Sequence, residues 1–243
     1  MRLKKYEDLP EFMKCKEVKE YYDLINKKKI QLLFKRGFDI LGSIIGITLL
    51  SPIMLIISII IKVDSSGPAL FKQIRVTQYG EKFKILKFRT MVVDAERKGA
   101  QVTSKNDSRV TRVGKFLRKC RIDELPQIFN IFMGQLSFVG TRPEVPKYVE
   151  KYTNEMLATL LLPAGVTSEA SITFKDEEKM LDGSLDVEND YIAKVLPLKM
   201  KYNLESIKKF SILYEIKVIF MTVIKVLVEQ SKSTDLKKQD LDI

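Results

Sequence analysis

The 22 residues Ile40–Ile61, ILGSIIGITLLSPIMLIISIII, contain no charged side chain and carry Ser51-Pro52 near their middle. About 20 residues rising ~1.5 Å each cross a hydrocarbon core of ~30 Å, so the run is long enough to span a bilayer. Pro52 lacks a backbone N–H and crowds the turn before it. A break is therefore expected at Ser51-Pro52, with limbs of roughly 18 Å and roughly 14 Å, each too short to cross alone. The run is apolar all round rather than on one stripe, which argues against a buried core helix.

Flanking charge separates two membrane geometries. Lys27, Lys28, Lys29, Lys35 and Arg36 precede the run, and Lys62, Lys72, Arg75, Lys82 and Lys84 follow it. Basic residues concentrate on the cytoplasmic side of a spanning helix. Both flanks read as cytoplasmic, which suits a re-entrant hairpin better than a straight, proline-kinked span. Ser43, Thr48, Ser51 and Ser58 are candidate partners for the backbone groups that a bend would free.

The 243 residues suffice for one domain plus this membrane element. Forty-two basic against thirty-one acidic residues give a net charge of +11, which calls for an anionic partner: nucleic acid, lipid headgroups or phosphorylated substrates. The apolar run favours lipid and phosphate. With no histidine in the chain, Ser-His and Cys-His catalysis are excluded, and acid, base and nucleophile roles fall mainly to carboxylates. Cys15 and Cys120 lie far apart without metal-ligand spacing, as expected of reduced thiols facing the cytoplasm. No signal peptide is apparent.

Residues 1–33 read as an amphipathic extension. Its helix would be capped by Asp8, with Glu11 three residues on, and would rest on a membrane surface or in solvent. Residues 34–62 read as the re-entrant hairpin, 63–230 as one cytoplasmic domain, and 231–243 as a charged, frayed tail. Within the domain, short strands are expected at Ala69–Phe71 and Phe83–Arg89 around a turn at Gln78-Tyr79-Gly80, with Phe83, Ile85 and Lys87 sharing one face. A mobile loop is expected over 94–112. Helices follow over Val113–Arg121, Glu124–Met133 (ended by Gly134) and 144–161, with a strand at Leu136–Val139. The stretch 163–190 reads as irregular, and Ile212–Val228 as an apolar helix interrupted by Glu215, Lys217 and Lys225, suited to packing or to an interface.

Chemistry is densest at Arg118-Lys119-Cys120-Arg121-Ile122-Asp123-Glu124-Leu125-Pro126-Gln127. A carboxylate near a helix N-terminus and beside Arg118 and Arg121 is favoured as an anion. Such an aspartate can bind Mg²⁺ or attack phosphorus. Asp-Glu before a helix is equally a common cap. Arg75, Lys84, Lys87, Arg89, Arg112, Arg118 and Arg142 form a cationic set of the kind phosphoryl chemistry needs, or else a basic surface beside anionic lipid. In Gly140-Thr141-Arg142-Pro143 the glycine and proline would fix the backbone that aims the arginine.

Taken in order, Phe34-Lys35-Arg36-Gly37-Phe38-Asp39, the apolar run with Ser51-Pro52, Phe83-Lys84-Ile85-Leu86-Lys87-Phe88-Arg89-Thr90-Met91, Val113-Gly114-Lys115-Phe116-Leu117-Arg118, Asp123-Glu124-Leu125-Pro126-Gln127 and Leu136–Pro143 resemble the bacterial sugar transferases, the monotopic polyprenyl-phosphate phosphoglycosyl transferases. The resemblance covers roughly residues 34 to 228. It implies an α+β, mainly helical fold: a single catalytic domain with a re-entrant membrane helix broken at Ser51-Pro52, short β elements and interfacial amphipathic helices.

The resemblance also implies that Asp123 attacks the β-phosphorus of a nucleoside-diphosphate sugar, expected to be a UDP-sugar. A covalent phosphosugar would then pass to a polyprenyl phosphate such as undecaprenyl phosphate, with Glu124 assisting and Mg²⁺ held partly by Asp123. The implied setting is the cytoplasmic face of the bacterial inner membrane, in contact with its lipids, at the start of glycan assembly; a homo-oligomer is compatible and nucleic acid is not a partner. Pro163–Ile172 departs from the family's commoner Arg-Pro-Gly-Ile-Thr-Gly-Trp-Ala-Gln-Val, and Asn203 stands where an aspartate is usual, so no donor contact is carried over to those positions. The rival from another class is a non-catalytic membrane anchor or scaffold in which the acidic pair only caps a helix.

Overall fold

The computed structural model describes residues 3–95, 107–174, 180–181 and 186–239, with side chains up to residue 225. The expected mobile loop over 94–112 falls largely on 96–106, outside the described residues. Near its described ends the chain is tied down, Val92 N donating to Arg109 O at 2.9 Å.

The N-terminal extension differs from expectation. Tyr6–Asp8 and Glu11–Met13 are 3₁₀ turns, and helix α1 spans only Lys16–Asn26, with no cap from Asp8. Val18, Tyr21, Tyr22 and Ile25, spaced to form one helical stripe, are buried against Leu157, Leu161, Leu204 and Ile207, together with Leu3, Leu9 and Met13. Each such side chain contributes roughly 1.5–3 kcal/mol when fully buried. The apolar face that could have rested on a membrane is thus part of the domain core.

Helix α2 runs 36 residues, Lys29–Asp64, and continues through Ser51-Pro52 instead of ending there. Pro52 leaves the Thr48 carbonyl without its usual donor, and the Ser51 hydroxyl donates to it at 3.3 Å. Ser43, Thr48 and Ser58 likewise donate to Ile40, Ile44 and Met54 carbonyls at 2.8–2.9 Å. Among the described residues α2 is the one helix long and apolar enough to cross a membrane, and only 17% of its most apolar window is buried. Ile44, Ile45, Leu49, Leu55, Ile56 and Ile59 face outward.

The opposite side of α2 is clamped to the domain along its length. Lys35 Nζ donates to Val139 O at 2.8 Å and pairs with Glu215. Asp39, one turn on, accepts from Ser137 Oγ at 3.0 Å and Phe138 N at 3.1 Å. Arg36 caps the end of a later helix through the Ile131 and Phe132 carbonyls at 2.7 and 2.8 Å. At Gly46 an added Cβ would lie 2.2 Å from the Ile128 side chain. Met54, Ile57 and Ile61 then pack on Ala69, Phe88 and Leu117. At the far end Arg89 donates to Ser66 O and Ser65 O at 2.7 and 2.6 Å.

Strands β1 (Leu70–Val76) and β2 (Lys82–Phe88) pair antiparallel from Leu70↔Phe88 to Val76↔Lys82. Tyr79 (φ 58°) and Gly80 (φ 79°) make the turn between them. Helix α3 (Arg112–Lys119) is capped by Thr111, whose side chain accepts from Gly114 N. A 3₁₀ turn, Ile122–Glu124, precedes α4 (Gln127–Phe132), so the helix begins three residues after its expected start and ends, as expected, before Gly134 (φ 82°). Buried Asn130 on α4 accepts from Leu86 N and donates to Lys84 O, both at 2.9 Å, joining α4 to β2 as an extra strand would.

Strand β3 (Ser137–Val139) pairs in parallel with β4 (Gly165–Thr167), where the sequence suggested an irregular stretch. The two glycines explain the pairing: a Cβ on Gly165 would stand 2.1 Å from Gly140 N. Over 144–161, expected to be helical, only α5 (Pro146–Val149) and a 3₁₀ segment (Met156–Leu161) form, since buried Leu157, Leu160 and Leu161 are placed by the core and not by a helical stripe. Helices α6 (Glu169–Thr173) and α7 (Val187–Asp190), a π turn (Tyr191–Val195) and α8 (Leu196–Lys208) follow.

Helix α9 spans Ile212–Gln239, so the chain stays helical through most of the expected frayed tail. Its amphipathicity is inverted. Glu215 reaches Lys35, Thr222 lies 2.8 Å from Thr167, and Lys225 donates to Ile172 O. Leu213, Ile216, Phe220, Val223 and Ile224 point outward. The fold is α+β and mainly helical, with short strands and one long apolar helix.

Candidate active site

Strand alternation puts Lys87 on the face of β2 shared with Phe83 and Ile85. Those two are buried with Ile131 and Leu136, and Lys87 continues the same face at the strand's end. Across from it, Arg121 adopts the left-handed conformation (φ 59°), which turns the chain sharply from α3 into the Ile122–Glu124 turn. A non-glycine residue there costs roughly 1–3 kcal/mol, strain of the kind that collects at functional sites.

The turn presents Asp123 and Glu124 differently. Glu124 Oε1 is 2.8 Å from Lys87 Nζ and 2.6 Å from Arg142 Nη2. Asp123, half-buried, makes no ion pair among the described residues. Neither carboxylate caps α4, whose N-cap is Pro126 with no side-chain hydrogen bond. That removes the capping interpretation of the pair.

Electrostatics separates the two acids further. Burial pushes the Glu124 carboxyl up, but Arg142 and Lys87, through charge and hydrogen bonds, hold it well below the usual range. Asp123 moves the other way. Burial and then the neighbouring Glu124 anion raise it, against the opposing pull of Lys87 and Arg118. The sequence had suggested that cations would dominate at Asp123; desolvation wins instead. Adjacent carboxyls driven apart in this way are a mark of acid, base or nucleophile assignments.

The other expected cations divide into two groups. Arg118 lies close enough to act on Asp123 and donates through Nε to Thr90 Oγ1 at 2.9 Å. Arg75 sits one step behind, donating to Gln73 Oε1 at 2.9 and 2.6 Å and to Pro143 O at 3.0 Å. Arg89, buried, serves the end of α2. Lys84 is exposed and on the opposite face of β2 from Lys87, and Arg112 is exposed at the start of α3. Thus Lys87, Arg118 and Arg142 gather at the acidic pair with Arg75 behind them, while Arg89, Lys84 and Arg112 do not. Sequence reasoning missed Asn130, Thr90 and Glu144. Glu144 directly follows the Arg142-Pro143 singled out above, whereas Asn130 and Thr90 carry no pattern of their own.

Three or more metal-ligating side chains do not cluster among the described residues. The donor set at the pair is one carboxylate, Asp123, that makes no ion pair among the described residues, beside one that is paired. That fits Mg²⁺, which takes one or two carboxylates and completes its shell with water and substrate phosphates.

An α+β domain with one long apolar helix thus brings together a Glu paired to two cations and an Asp that makes no ion pair among the described residues, a charge arrangement of the kind that suits phosphoryl oxygens. The chain belongs to the bacterial sugar transferase family, whose model matches residues 30–229. It is 36% identical over 197 residues to a UDP-N-acetylgalactosamine-undecaprenyl-phosphate N-acetylgalactosaminephosphotransferase of Aeromonas hydrophila, covering 80% of this chain and 44% of the relative. It is 38% identical over 206 residues to a UDP-glucose:undecaprenyl-phosphate glucose-1-phosphate transferase of Klebsiella pneumoniae, covering 83% and 42%. A protein of the same description from Escherichia coli K12 is 33% identical over 199 residues, covering 81% and 40%. The chain spans less than half the length of each of these relatives.

Proposed function

We propose that this protein is a phosphoglycosyl transferase that moves a sugar 1-phosphate from a UDP-sugar to undecaprenyl phosphate, starting assembly of a membrane-linked glycan. The observation that carries the proposal is the split pair: Glu124 held between Lys87 and Arg142, with Asp123 beside it raised and in no ion pair among the described residues. The names of the relatives supply the donor and acceptor classes.

In the first step an Asp123 carboxylate oxygen attacks the β-phosphorus. The bond from that phosphorus to the bridging oxygen breaks, and UMP leaves with the oxygen, so an acyl phosphosugar stays on Asp123. A phosphate oxygen of the polyprenol then attacks the same phosphorus, and Asp123 departs as a carboxylate. A raised Asp123 is the more basic nucleophile of the pair, and two displacements let one group serve a soluble donor and then a lipid acceptor. Lys87, Arg118 and Arg142 supply the fixed positive charge that the transferring oxygens require. Mg²⁺, taken up through Asp123 with the donor phosphates, would offset further phosphate charge. Glu124 orients Lys87 and Arg142 and keeps Asp123 basic.

Both ends of α2 are fastened to the same domain, by Lys35, Arg36 and Asp39 at one end and Arg89 at the other. A bilayer separating those ends would have to sever these bonds, which supports a monotopic placement with both ends of α2 on one face, and the basic residues on both flanks favour the cytoplasmic one. The outward apolar faces of α2 and α9 support the same placement.

The test is Asp123→Ala and Asp123→Asn protein assayed with radiolabelled UDP-sugar and undecaprenyl phosphate. Turnover should fall to background, and a phosphosugar adduct trapped on wild-type protein should disappear from the mass spectrum. Full turnover by either variant would end the catalytic claim.

A further inference from the structure

Two residues beyond Arg142, the Glu144 carboxylate is buried among donors from distant parts of the chain. Tyr191 Oη donates to its Oε1 at 2.7 Å and Lys199 Nζ at 3.2 Å, and Lys199 Nζ also donates to Tyr191 Oη at 2.9 Å. Arg75 Nη1 stands 4.0 Å from Oε2 while donating to Pro143 O at 3.0 Å. The Glu144 carbonyl accepts from Val76 N at the end of β1 at 3.0 Å. On its other side the same loop is pinned where Gly140 N donates to Thr167 O at 3.0 Å and Thr141 O accepts from Gly165 N at 2.9 Å. Arg142 projects from the middle of this fastened loop to Glu124.

Burial alone would raise the Glu144 carboxyl, but Lys199, Tyr191 and Arg75 hold it below its usual value. A buried ion pair is a poor source of stability compared with apolar residues of the same volume. Its energetic return is small, so its location beside the arginine loop points to a geometric role.

We propose that Glu144, locked by Lys199, Tyr191 and Arg75, is a positioning residue that aims Arg142 at Glu124 and the transferring phosphate. The kinetic consequence rests on the transferase reading; the geometric one does not. Displacing a charge-bearing donor by about 1 Å costs on the order of a hundredfold in rate.

Glu144→Gln alone strands the Lys199 charge, so the informative protein is Glu144→Gln/Lys199→Met, which removes both charges together. It is assayed in detergent with undecaprenyl phosphate and UDP-N-acetylgalactosamine or UDP-glucose, alone and combined with Arg142→Ala. The expected result is a Tm close to wild type and a fall in kcat of about a hundredfold with donor KM little changed. In the Arg142→Ala background the same pair of changes should cost less than about threefold, because coupled residues are not additive. Backbone amides of 140–145 should exchange hydrogen faster than in wild type. A full penalty persisting without Arg142, wild-type kcat in the double variant, or unchanged exchange over 140–145 would each overturn the proposal. Should wild-type protein transfer no sugar phosphate from these or any other of a panel of UDP-sugars, the transferase reading fails, and the exchange measurement alone decides the positioning role.

Discussion

Arg142 Nη2 sits 2.6 Å from Glu124 Oε1, an ion pair joining the loop after β3 to the turn before α4. The contact brings together two segments that are local in sequence only to themselves, and it leaves the neighbouring Asp123 without such a partner. Consequences for the acidic pair and for its scaffold can be measured.

Glu124→Gln removes the anion that helps raise Asp123 and loosens Lys87 and Arg142 at the same time. The acid limb of the kcat/KM pH profile should move to lower pH, because Asp123 then ionises more readily. Loss of alignment should also lower kcat by about 10²–10³-fold. An acid limb that stays in place would show that Glu124 does not set Asp123.

Arg142→Lys keeps the charge but loses the planar fork, and Arg142→Ala loses both. Steady-state kinetics should rank wild type above Lys above Ala, with Ala lower by about 10²–10³-fold. Lys84→Ala, on the other face of β2, should stay within about twofold of wild type, as expected of an exposed side chain away from the site.

Stability should respond to acid in a defined direction. Against burial, cationic partners hold the Glu124 and Glu144 carboxyls below the ordinary glutamate value of about 4.5. Their stabilisation is present above that value and is lost as pH falls through their lower folded values. Asp123, raised, has the opposite sign and loses its contribution as pH rises through its own value. Among the described residues the carboxyls held low (Asp107, Glu124, Glu144 and Glu205) outnumber those held high (Asp123 and Glu215), which predicts a Tm that drops as pH falls below about 4.5 in thermal melts at matched ionic strength.

Arg89→Ala should act on the scaffold. Three charge-assisted bonds, to the Ser65 and Ser66 carbonyls and to Ser65 Oγ, disappear, each worth about 1.5–3 kcal/mol. Denaturation midpoints should fall markedly, while the protein that remains folded keeps its KM for donor. A raised donor KM with unchanged stability would instead put Arg89 in contact with phosphate.

The placement of α2 is checked by thiol labelling. In protein lacking Cys15 and Cys120, single cysteines introduced at Lys29 and Lys72 should react with a membrane-impermeant reagent from the same side of sealed vesicles. Labelling from opposite sides would mean that α2 crosses the bilayer.

Much of this arrangement was legible beforehand because it rests on local chemistry. The charge-free run, the strand alternation that places Lys87, the turn at Tyr79-Gly80 and the stop at Gly134 all follow from neighbouring residues. The N-terminal stripe was visible too, but periodicity does not say what covers a stripe, and here the cover is Leu157, Leu161 and Leu204, far along the chain. Strand β4 was hidden for a similar reason: its partner is β3, and the contact depends on two glycines 25 positions apart, Gly140 and Gly165. The cations around Asp123 could be guessed from composition, but the desolvation that outweighs them is a tertiary quantity. Arg89 looked like a phosphate ligand because it is basic and only two residues from Lys87; its bonds to the end of α2 distinguish the two.

The clamp of Lys35 and Asp39 on β3 has a mechanical corollary. Strand β3 leads directly into Gly140 and Arg142, so the segment that holds the apolar helix is continuous with the one that carries the guanidinium. On the transferase reading, tilt or depth of that helix would reach the Ile122–Glu124 turn through a short strut of a few residues. Turnover in nanodiscs of graded acyl length should therefore peak at one thickness, and loosening the strut with Asp39→Asn should flatten that optimum.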